Sequence, residues 1–404
     1  MEFLIPTRTS RPADDPIFAL NTEARARAAT GEAIVNATVG ALLDEEGKLA
    51  VLGSVAQAIR ELPASAGAGY APITGGADFH RAVIADLLGG RPEAGWAVTV
   101  ATPGGSGALH LAVGDFLEPH QAVLTTSYYW GPYRTIADEL DRSLSTFRMF
   151  DERGRLDLAD FERKLQGSVE AQGRALVILN SPCHNPTGYS FDDDEWRALV
   201  DVVGRAAARA PITLLLDVAY FRYAGSGLDR ALDHLLGLAG KAMILFAWSA
   251  SKSFTQYGLR VGALVAVHPD PDERRRVQSA LGYSCRGIWS TCNAAGITAI
   301  TRALTDPELR ARTDAERGAL KALLDRRVAR WNELASAAGL RYPRYDGGFF
   351  TTVFCDDAPA AAARLKAGGL FVVPQAGALR VALCSVAERD IPRLVEGIAR
   401  QLAR

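Results

Sequence analysis

The 404-residue chain has little of what several large classes of protein require. Its net charge of −1 gives no basic face of the kind that binds nucleic acid. No apolar run is long enough to cross a membrane, and the first six residues lack the charged start and long apolar core of a secretion signal. A reducing, cytoplasmic location is therefore expected.

Cysteine is also scarce, with five residues in the whole chain. An odd number argues against a framework of disulfides, and the spacing does not match that of a metal site. No metal ligands are therefore predicted.

The chain is rich in apolar residues, which make up 48% of it, and contains 38 glycines. These suit one large domain plus a smaller one, with the many tight turns of an α/β protein.

The most informative stretch of the sequence is residues 242–262, and the other motifs are interpreted in relation to it. Its first seven residues are apolar and predict a buried parallel strand, which ends in Ser249-Ala-Ser-Lys252. A lysine there is costly to bury as an ammonium ion, but a neutral lysine amine can form a Schiff base with an aldehyde. With serines and Arg260 close by, a phosphorylated aldehyde is indicated, and pyridoxal 5′-phosphate is the obvious one. Taken alone, Lys252 is better explained by a solvated surface loop, and the rest of the chain reverses that preference.

The motif Ser249-x-Ser-Lys252 followed by Gly258-x-Arg260-x-Gly262 resembles the lysine motif of class I aminotransferases, in particular their aspartate and aromatic branch. These are fold-type-I enzymes that use pyridoxal phosphate. The resemblance covers residues 40–380. It implies an α/β fold with a mostly parallel sheet in a large domain, and a smaller α+β domain. It also implies that Lys252 holds the cofactor and then moves the proton at the substrate Cα.

A glycine-rich turn follows the strand predicted at residues 97–101. Its sequence, Pro103-Gly-Gly-Ser-Gly, opens a predicted helix that runs to Phe116. Free N–H groups and the positive end of a helix dipole attract phosphate, so Gly105 and Ser106 are the expected donors. Many α/β turns look alike, and this assignment depends on the lysine motif. The resemblance adds Ser249 and Arg260 to the residues that bind the cofactor.

Two further predicted strands end in polar residues. The strand at residues 174–180 leads into Ser181-Pro-Cys-His-Asn-Pro-Thr-Gly188, and the strand at residues 212–217 leads into Asp217-x-Ala-Tyr220. Ligands of open α/β sheets bind at such strand ends. By the resemblance, Asp217 pairs with the protonated pyridine nitrogen, while Asn185 and Tyr220 hydrogen-bond the phenolic oxygen. For His184, a partner behind this site and a packed loop residue are equally compatible with the sequence.

The strand predicted at residues 122–126 leads into Ser127-Tyr-Tyr-Trp-Gly-Pro-Tyr133. Trp130 aligns with the family's tryptophan that stacks on the pyridine ring, and an aromatic core cluster is the alternative. The family often has a histidine three residues further on, where this chain has Tyr133. The side-chain partner of Asp217 therefore stays open at this stage.

The resemblance also predicts substrate-binding residues. Gly40 lines the substrate pocket, although a turn glycine explains it equally well, and the planar guanidinium of Arg380 holds the α-carboxylate. Tyr70 and Arg286 are expected to reach the active site of a partner subunit in a homodimer. There, Tyr70 contacts the phosphate and Arg286 binds the distal carboxylate of a dicarboxylic substrate. The family's usual Asn-Pro-Pro after this arginine segment is here Thr291-Cys-Asn293, which weakens the case for strict aspartate specificity.

The remaining pattern predicts three segments. Residues 1–50 form an N-terminal arm and part of the small domain, residues 51–305 form the large cofactor-binding domain, and residues 306–404 form the C-terminal small domain. Helices are expected over residues 22–29, 51–62, 307–340, 359–367 and 388–402, and strands of the small domain over residues 347–353, 369–374 and 378–383.

The sequence thus predicts a pyridoxal-phosphate-dependent aminotransferase that acts on an aromatic or dicarboxylic L-amino acid and a 2-oxo acid such as 2-oxoglutarate. Another reaction with the same cofactor, β-elimination or decarboxylation, stays open because the same residues support it. A non-catalytic regulator is disfavoured, since only about 40 residues precede the match and a DNA-binding domain would need more. The expected partners are small molecules and a second copy of the chain, with no nucleic acid and no membrane.

Overall fold

The computed structural model describes residues 3–9, 11–12 and 16–403. The helices are α1 (Pro16–Ala29), α2 (Gly53–Arg60), α3 (Ala64–Ala68), α4 (Ala77–Leu88), α5 (Gly104–Phe116), α6 (Pro132–Glu139), α7 (Leu158–Gln172), α8 (Asp193–Ala207), α9 (Gly227–Leu235), α10 (Ala250–Ser253), α11 (Pro271–Ile288), α12 (Ala294–Thr305), α13 (Pro307–Ala337), α14 (Ala358–Ala367) and α15 (Ile391–Leu402). The strands are β1 (Val35–Asn36), β2 (Ala97–Thr102), β3 (Ala122–Thr126), β4 (Ser143–Phe147), β5 (Ala175–Asn180), β6 (Ile212–Asp217), β7 (Met243–Ser249), β8 (Gly262–Val267), β9 (Thr351–Phe354), β10 (Leu370–Phe371), β11 (Val373–Gln375) and β12 (Ala378–Val381).

The larger of two compact units comprises residues 50–325 and 343–348. Its centre is a seven-stranded sheet with the order β2-β8-β7-β6-β5-β3-β4. The strands from β7 to β4 run parallel, while β8 is antiparallel to both of its neighbours. Every residue of β5, β6 and β8 is buried, which accounts for their nearly continuous apolar sequences and requires cover on both faces of the sheet.

The register of the parallel strands brings their polar ends to one edge of the sheet. Asn180 is opposite Asp217, and Asp217 is in turn opposite Ala247 of β7. At the end of β7, Ser249 pairs with Gly262 of the antiparallel strand β8. Residues that lie far apart in sequence are thereby placed side by side where the strands finish.

The acidic run before Trp196 has a structural role, as its position at a helix start indicates. Asp192 caps α8 and accepts a hydrogen bond from the backbone of Glu195, while the Glu195 side chain accepts one from the backbone of Asp192. This reciprocal arrangement satisfies N–H groups that the first turn of a helix leaves unpaired. Beyond the cap, Trp196 and Leu199 face the core of the larger unit.

The smaller unit comprises residues 1–49, 326–342 and 349–404. It contains an antiparallel sheet of order β11-β12-β9 and a parallel pair formed by β1 and β10. In α15 the buried positions Ile391, Leu394, Val395 and Ile398 recur at helical spacing, so one stripe of the helix faces the core. The N-terminal and C-terminal segments of the chain therefore fold together.

Several element boundaries differ from those expected. Helix α1 begins at Pro16 rather than at residue 22, and residues 1, 2, 10 and 13–15 of the expected arm lie outside the described residues. The strand expected over residues 347–353 begins only at Thr351. Gly348 has a φ of +89°, and a Cβ there would overlap Cys183, so close packing rather than strand pairing determines the backbone at that point.

Three sequence-based expectations can be compared with the part of the chain that the structure describes. None of the helices in the described residues is long and apolar enough to cross a membrane. All five cysteines lie in the described part of the chain, and each is a free thiol. Among the described residues, no group of histidine, cysteine and acidic side chains could hold a metal ion.

Arg327 is a fully buried cation in the smaller unit. Its Nε and Nη2 atoms donate to Glu45 Oε1 at 3.0 and 2.6 Å, and its Nη1 and Nη2 atoms donate to the carbonyls of Cys384 and Leu43, both at 2.9 Å. One side chain from α13 thus joins two other segments of the unit.

We expect Arg327→Met to lower the free energy of unfolding by about 3 kcal/mol, because Glu45 and two carbonyls would lose their partner. Denaturant unfolding followed by circular dichroism measures the change. Arg330→Met is the matched control, since Arg330 lies on the same helix, is partly exposed and pairs with Glu333 three residues away. Its loss should be below about 1 kcal/mol. Equal losses in the two variants would contradict a special role for Arg327.

Candidate active site

Asp217 is the buried acidic residue at the end of β6. Its Oδ2 accepts a hydrogen bond from Tyr133 Oη at 2.7 Å, and its Oδ1 accepts one from the backbone N–H of Ala219 at 3.1 Å. Burial raises the pKa of Asp217, while Tyr133, Ala219 and the positive charge of Lys252 act in the opposite direction. The structure thus supplies the partner that the sequence left open, and it is Tyr133.

Tyr133 also connects Asp217 to Trp130. The two aromatic rings meet edge to face, with centroids 5.8 Å apart and an angle of 89° between their planes. Tyr133 is buried and burial raises its pKa well above the usual value, so its hydroxyl keeps its proton and remains a donor. Tyr133 lies in the first turn of α6 and Trp130 lies two residues before that helix, which places an aromatic side chain and the Asp217 carboxylate in one cluster.

A chain of polar contacts joins β5 to the turn after β6. Asn180 Nδ2 donates to the carbonyl of Asp217 at 2.8 Å, and Asn180 Oδ1 accepts from the backbone N–H of Asn185 at 2.6 Å. Asn185 Nδ2 in turn donates to Tyr220 Oη at 3.4 Å. Asn180 was not singled out in the sequence, because an asparagine at a strand end carries no distinctive signal.

Lys252 lies in the short helix α10, directly after β7. Its Nζ atom is 5.8 Å from the centre of the Tyr220 ring and 5.0 Å from the centre of the Tyr257 ring. Its carbonyl accepts a hydrogen bond from Tyr223 Oη at 3.1 Å. Ser249 caps α10 by accepting a hydrogen bond from the backbone N–H of Ser251. Tyr257 is a second residue that sequence reasoning missed, since nothing in its spacing marks it.

Arg260 packs against the glycine-rich turn before α5. Its Nη2 donates to the carbonyl of Pro103 at 3.3 Å, and its Nη1 donates to Ser251 Oγ at 3.4 Å. Gly104 has a φ of +72°, and a Cβ there would overlap the guanidinium of Arg260. Gly105 and Ser106 occupy the first turn of α5, whose N–H groups have no partners within the helix. A guanidinium, hydroxyl groups and helix N–H groups therefore converge at one corner of the larger unit.

His184 is buried in the turn between Asn180 and Asn185 rather than bound to Asp217. Its Nδ1 lies 2.8 Å from Thr187 Oγ1 and its Nε2 lies 3.3 Å from Thr126 Oγ1. Burial lowers its pKa to about 3, so the ring is neutral at physiological pH. The geometry agrees with the packed loop residue, the second of the two interpretations that the sequence allowed.

Two predicted substrate residues lie in the smaller unit. The guanidinium of Arg380 is buried, donates to the carbonyl of Thr38 and lies 4.7 Å from the centre of the Phe350 ring. Gly40 packs so close to Phe350 that a Cβ would overlap the ring. The Phe350 ring thus lies beside the guanidinium of Arg380 and fills the space that a Cβ at position 40 would need.

Tyr70 and Arg286 are not part of either cluster within one chain. The side chain of Tyr70 is 94% exposed. Arg286 is exposed in the last turn of α11, and its Nη1 donates to Ser290 Oγ.

The residues around Lys252 suit a phosphorylated pyridine aldehyde. Lys252 carries an amine of the kind that reacts with an aldehyde, an acidic side chain can face a ring nitrogen, and the corner around Arg260 can receive a phosphate. Asn185 Oδ1 is buried without a hydrogen-bond partner, so this oxygen can accept a hydrogen bond from a ligand. The donor set therefore fits pyridoxal phosphate.

Comparisons with known proteins lead to the same conclusion. The sequence profile of the family "Aminotransferase class I and II" matches residues 32–398. The chain belongs to this family. An aspartate aminotransferase from Pseudomonas aeruginosa is 32% identical over 337 residues, which are 81% of this chain and 82% of that protein.

Solved structures of aminotransferases share the fold over their whole length. The crystal structure of an aminotransferase from Anaerococcus prevotii has a TM-score of 0.96 and 32% identity, and covers 100% of both chains. An aromatic-amino-acid aminotransferase from Burkholderia pseudomallei, covalently bound to pyridoxal phosphate, has a TM-score of 0.82 and 27% identity, and covers 99% of this chain and 100% of that one. The predicted fold class, the aminotransferase activity and the pyridoxal phosphate cofactor are confirmed.

We expect Tyr133→Phe to raise the pKa of Asp217 further, because the buried carboxylate of this aminotransferase would lose its phenolic donor. The aminotransferase needs Asp217 as an anion if it pairs with a protonated ring nitrogen. The acid limb of the pH profile of kcat/KM should therefore move to higher pH. Tyr342→Phe is the control, since Tyr342 Oη donates only to the carbonyl of Asn332. Coincident profiles for Tyr133→Phe and wild type would show that Asp217 does not depend on this bond.

Proposed function

We propose that the chain is an aminotransferase of amino acids in which Lys252, Asp217, Asn185 and Tyr220 form the reaction centre. The main support for this proposal is the position of Lys252 Nζ beside the ring of Tyr220. The Tyr220 hydroxyl accepts a hydrogen bond from Asn185 Nδ2. In the overall reaction, an L-amino acid and a 2-oxo acid exchange an amino group and a carbonyl oxygen. Pyridoxal phosphate supplies an aldehyde that receives the amine and a ring that accepts electron density from Cα.

Lys252 has two tasks in this proposal. It would hold the cofactor before substrate arrives, and its amine, once released, would act as the general base that takes the proton from the substrate Cα and as the general acid that gives a proton back. The rings of Tyr220 and Tyr257 have their centres 5.8 and 5.0 Å from Nζ and can stabilise its ammonium form. Tyr223 holds the lysine turn in place through its bond to the Lys252 carbonyl.

The other polar residues hold and orient the ring. Asp217 would pair with the protonated pyridine nitrogen, Asn185 and Tyr220 would hold the phenolic oxygen, and Trp130 would stack on the ring. Gly105, Ser106, Ser249 and Arg260 would donate hydrogen bonds to the phosphate. Support comes from the packing of Arg260 against the turn before α5 and from the edge-to-face contact that holds Trp130.

For the substrate, we propose an aromatic or dicarboxylic L-amino acid, with a 2-oxo acid such as 2-oxoglutarate as the acceptor. Relatives named for aspartate and for aromatic amino acids support both classes. Arg380 would bind the α-carboxylate, for which a buried guanidinium 4.7 Å from the centre of the Phe350 ring is well suited. Gly40 would line the substrate pocket, where the lack of a Cβ lets the Phe350 ring pack against its backbone.

We also propose a cytoplasmic homodimer in which Tyr70 and Arg286 complete the partner subunit's active site. Tyr70 is 94% exposed and Tyr283, on the same helix as Arg286, is 85% exposed. Large apolar side chains at this exposure are typical of surfaces that a second chain covers. The five free thiols favour a reducing compartment.

Lys252→Ala tests the reaction centre. We expect a loss of at least about 10³-fold in the rate of 2-oxo acid formation, because the proton carrier is gone. After borohydride reduction, mass spectrometry should find the cofactor covalently attached to the wild type but not to this variant. Lys241→Ala, which changes an exposed lysine before β7, should leave both results unchanged. Full transaminase activity in Lys252→Ala would refute the mechanism.

Arg286→Leu and Arg380→Leu together test the substrate class. Losing one partner of a desolvated charge pair costs about 2–5 kcal/mol, so kcat/KM for glutamate should fall roughly 30- to several-thousand-fold in Arg286→Leu. Phenylalanine should suffer far less, because its side chain carries no carboxylate. In Arg380→Leu, both amino acids should lose a similar factor. Equal losses for glutamate and phenylalanine in Arg286→Leu would mean that this arginine does not recognise a distal carboxylate.

A further inference from the structure

Asp86 is a buried carboxylate outside the site described above. It lies in α4, and its side chain is 0% exposed. Its Oδ2 accepts a hydrogen bond from Trp248 Nε1 at 3.0 Å. Its Oδ1 accepts one from Arg222 and lies 3.4 Å from Nη2 of Arg310. Because each partner is directional, the carboxylate cannot turn without breaking at least one of these bonds.

Two of these partners lie next to residues of the active site. Trp248 is the next-to-last residue of β7, four positions before Lys252. Arg222 lies in the 3-10 turn Phe221–Tyr223, two positions after Tyr220, and also donates to the Asp86 carbonyl at 3.0 Å. Asp86 therefore joins the strand that leads to Lys252 with the turn that follows Tyr220.

The turn that carries Lys252 is held from a second direction as well. Arg317 of α13 is 5% exposed, and its Nη1 donates to the Ser253 carbonyl at 3.2 Å. Tyr223 holds the preceding carbonyl, that of Lys252. Burial lowers the pKa of the Arg317 guanidinium, and the charge of Asp86 opposes that shift. The same ionic cluster thus reaches both sides of the lysine turn.

Stability alone does not account for such a cluster. A buried ion pair is often no more stabilising than apolar side chains of the same volume, because each charge loses its hydration. What the cluster offers instead is a single arrangement of the segments that it joins. In a reaction that passes a proton between Lys252 and a substrate carbon, that arrangement matters, since a misplacement of about 1 Å can cost roughly 100-fold in rate.

We propose that Asp86 is a positioning residue for transamination: by binding Trp248 and Arg222 it fixes the place of Lys252 relative to Tyr220. The inference rests on the proposed role of Lys252 as the proton carrier. Asp86 acts through these partners and takes no part in the proton transfer itself.

Asp86→Asn and Trp248→Phe test the proposal by changing the acceptor and the donor of the hydrogen bond between Asp86 and Trp248. The first keeps the size of the side chain and removes its charge. The second removes the Nε1–H donor and keeps an aromatic ring, which packs against Phe79 and Phe254 in the wild type. Asp194→Asn is the matched control, because Asp194 pairs with Arg197 on the surface and is 76% exposed.

The measurement is the single-turnover rate of the loaded enzyme with an amino acid, unlabelled and deuterated at Cα. We expect Asp86→Asn and Trp248→Phe to lower the rate per bound cofactor roughly 10- to 100-fold, with amino acid affinity changed less than about 2-fold. The deuterium isotope effect should rise, since proton transfer would limit the rate more strongly. Asp194→Asn should match the wild type in all three quantities.

A second readout is independent of turnover. Amide hydrogen exchange should speed up at residues 221–223 and 249–254 in both variants and stay unchanged in β5 and α8. If Asp86→Asn does not fold, the proposal is tested with Trp248→Phe alone, because that variant keeps all the charges. An unchanged isotope effect together with a normal rate per bound cofactor would overturn the proposal and leave Asp86 as a stabilising residue only. Loss of activity in Lys252→Ala alongside that result would leave the proposed function intact.

Discussion

The proposed active site depends on keeping the buried carboxylate of Asp217 ionised. Asp217 is buried at the end of β6, and burial alone favours its neutral form. The phenol of Tyr133 and the N–H of Ala219 offset part of that cost by donating to its two oxygens. Since Tyr133 also packs edge to face on Trp130, a single residue fixes both the anion and an aromatic neighbour.

The sheet register determines which residues can share this site. Parallel pairing sets Asn180 opposite Asp217 and Asp217 opposite Ala247, so the segments after β5, β6 and β7 emerge at the same edge. A shift of β6 by one residue would turn the Asp217 side chain to the other face of the sheet. The continuous apolar sequences of β5 and β6, buried on both faces, therefore hold the polar residues in register as well as filling the core.

Local patterns made much of this architecture predictable. The apolar run before Lys252, the glycine-rich turn before α5 and the polar ends of β5 and β6 each lie within a short stretch, so their elements and their shared edge followed from the sequence. The bond between Tyr133 and Asp217 joins residues 84 positions apart, and that between Asp86 and Trp248 joins residues 162 apart. Such pairs depend on tertiary packing, which periodicity and propensity do not encode.

Asp86 and Asp217, two of the buried carboxylates of the larger unit, differ in the groups that surround their charge. Asp86 is bound by the guanidinium of Arg222 and lies close to that of Arg310, so cations already balance its charge. The hydrogen-bond donors of Asp217, a phenol and a backbone amide, are both neutral. Neutral donors orient an anion without cancelling its charge. Asp217 is therefore able to stabilise a positive charge on a ligand, as a protonated pyridine requires, whereas Asp86 is suited to hold protein segments in place.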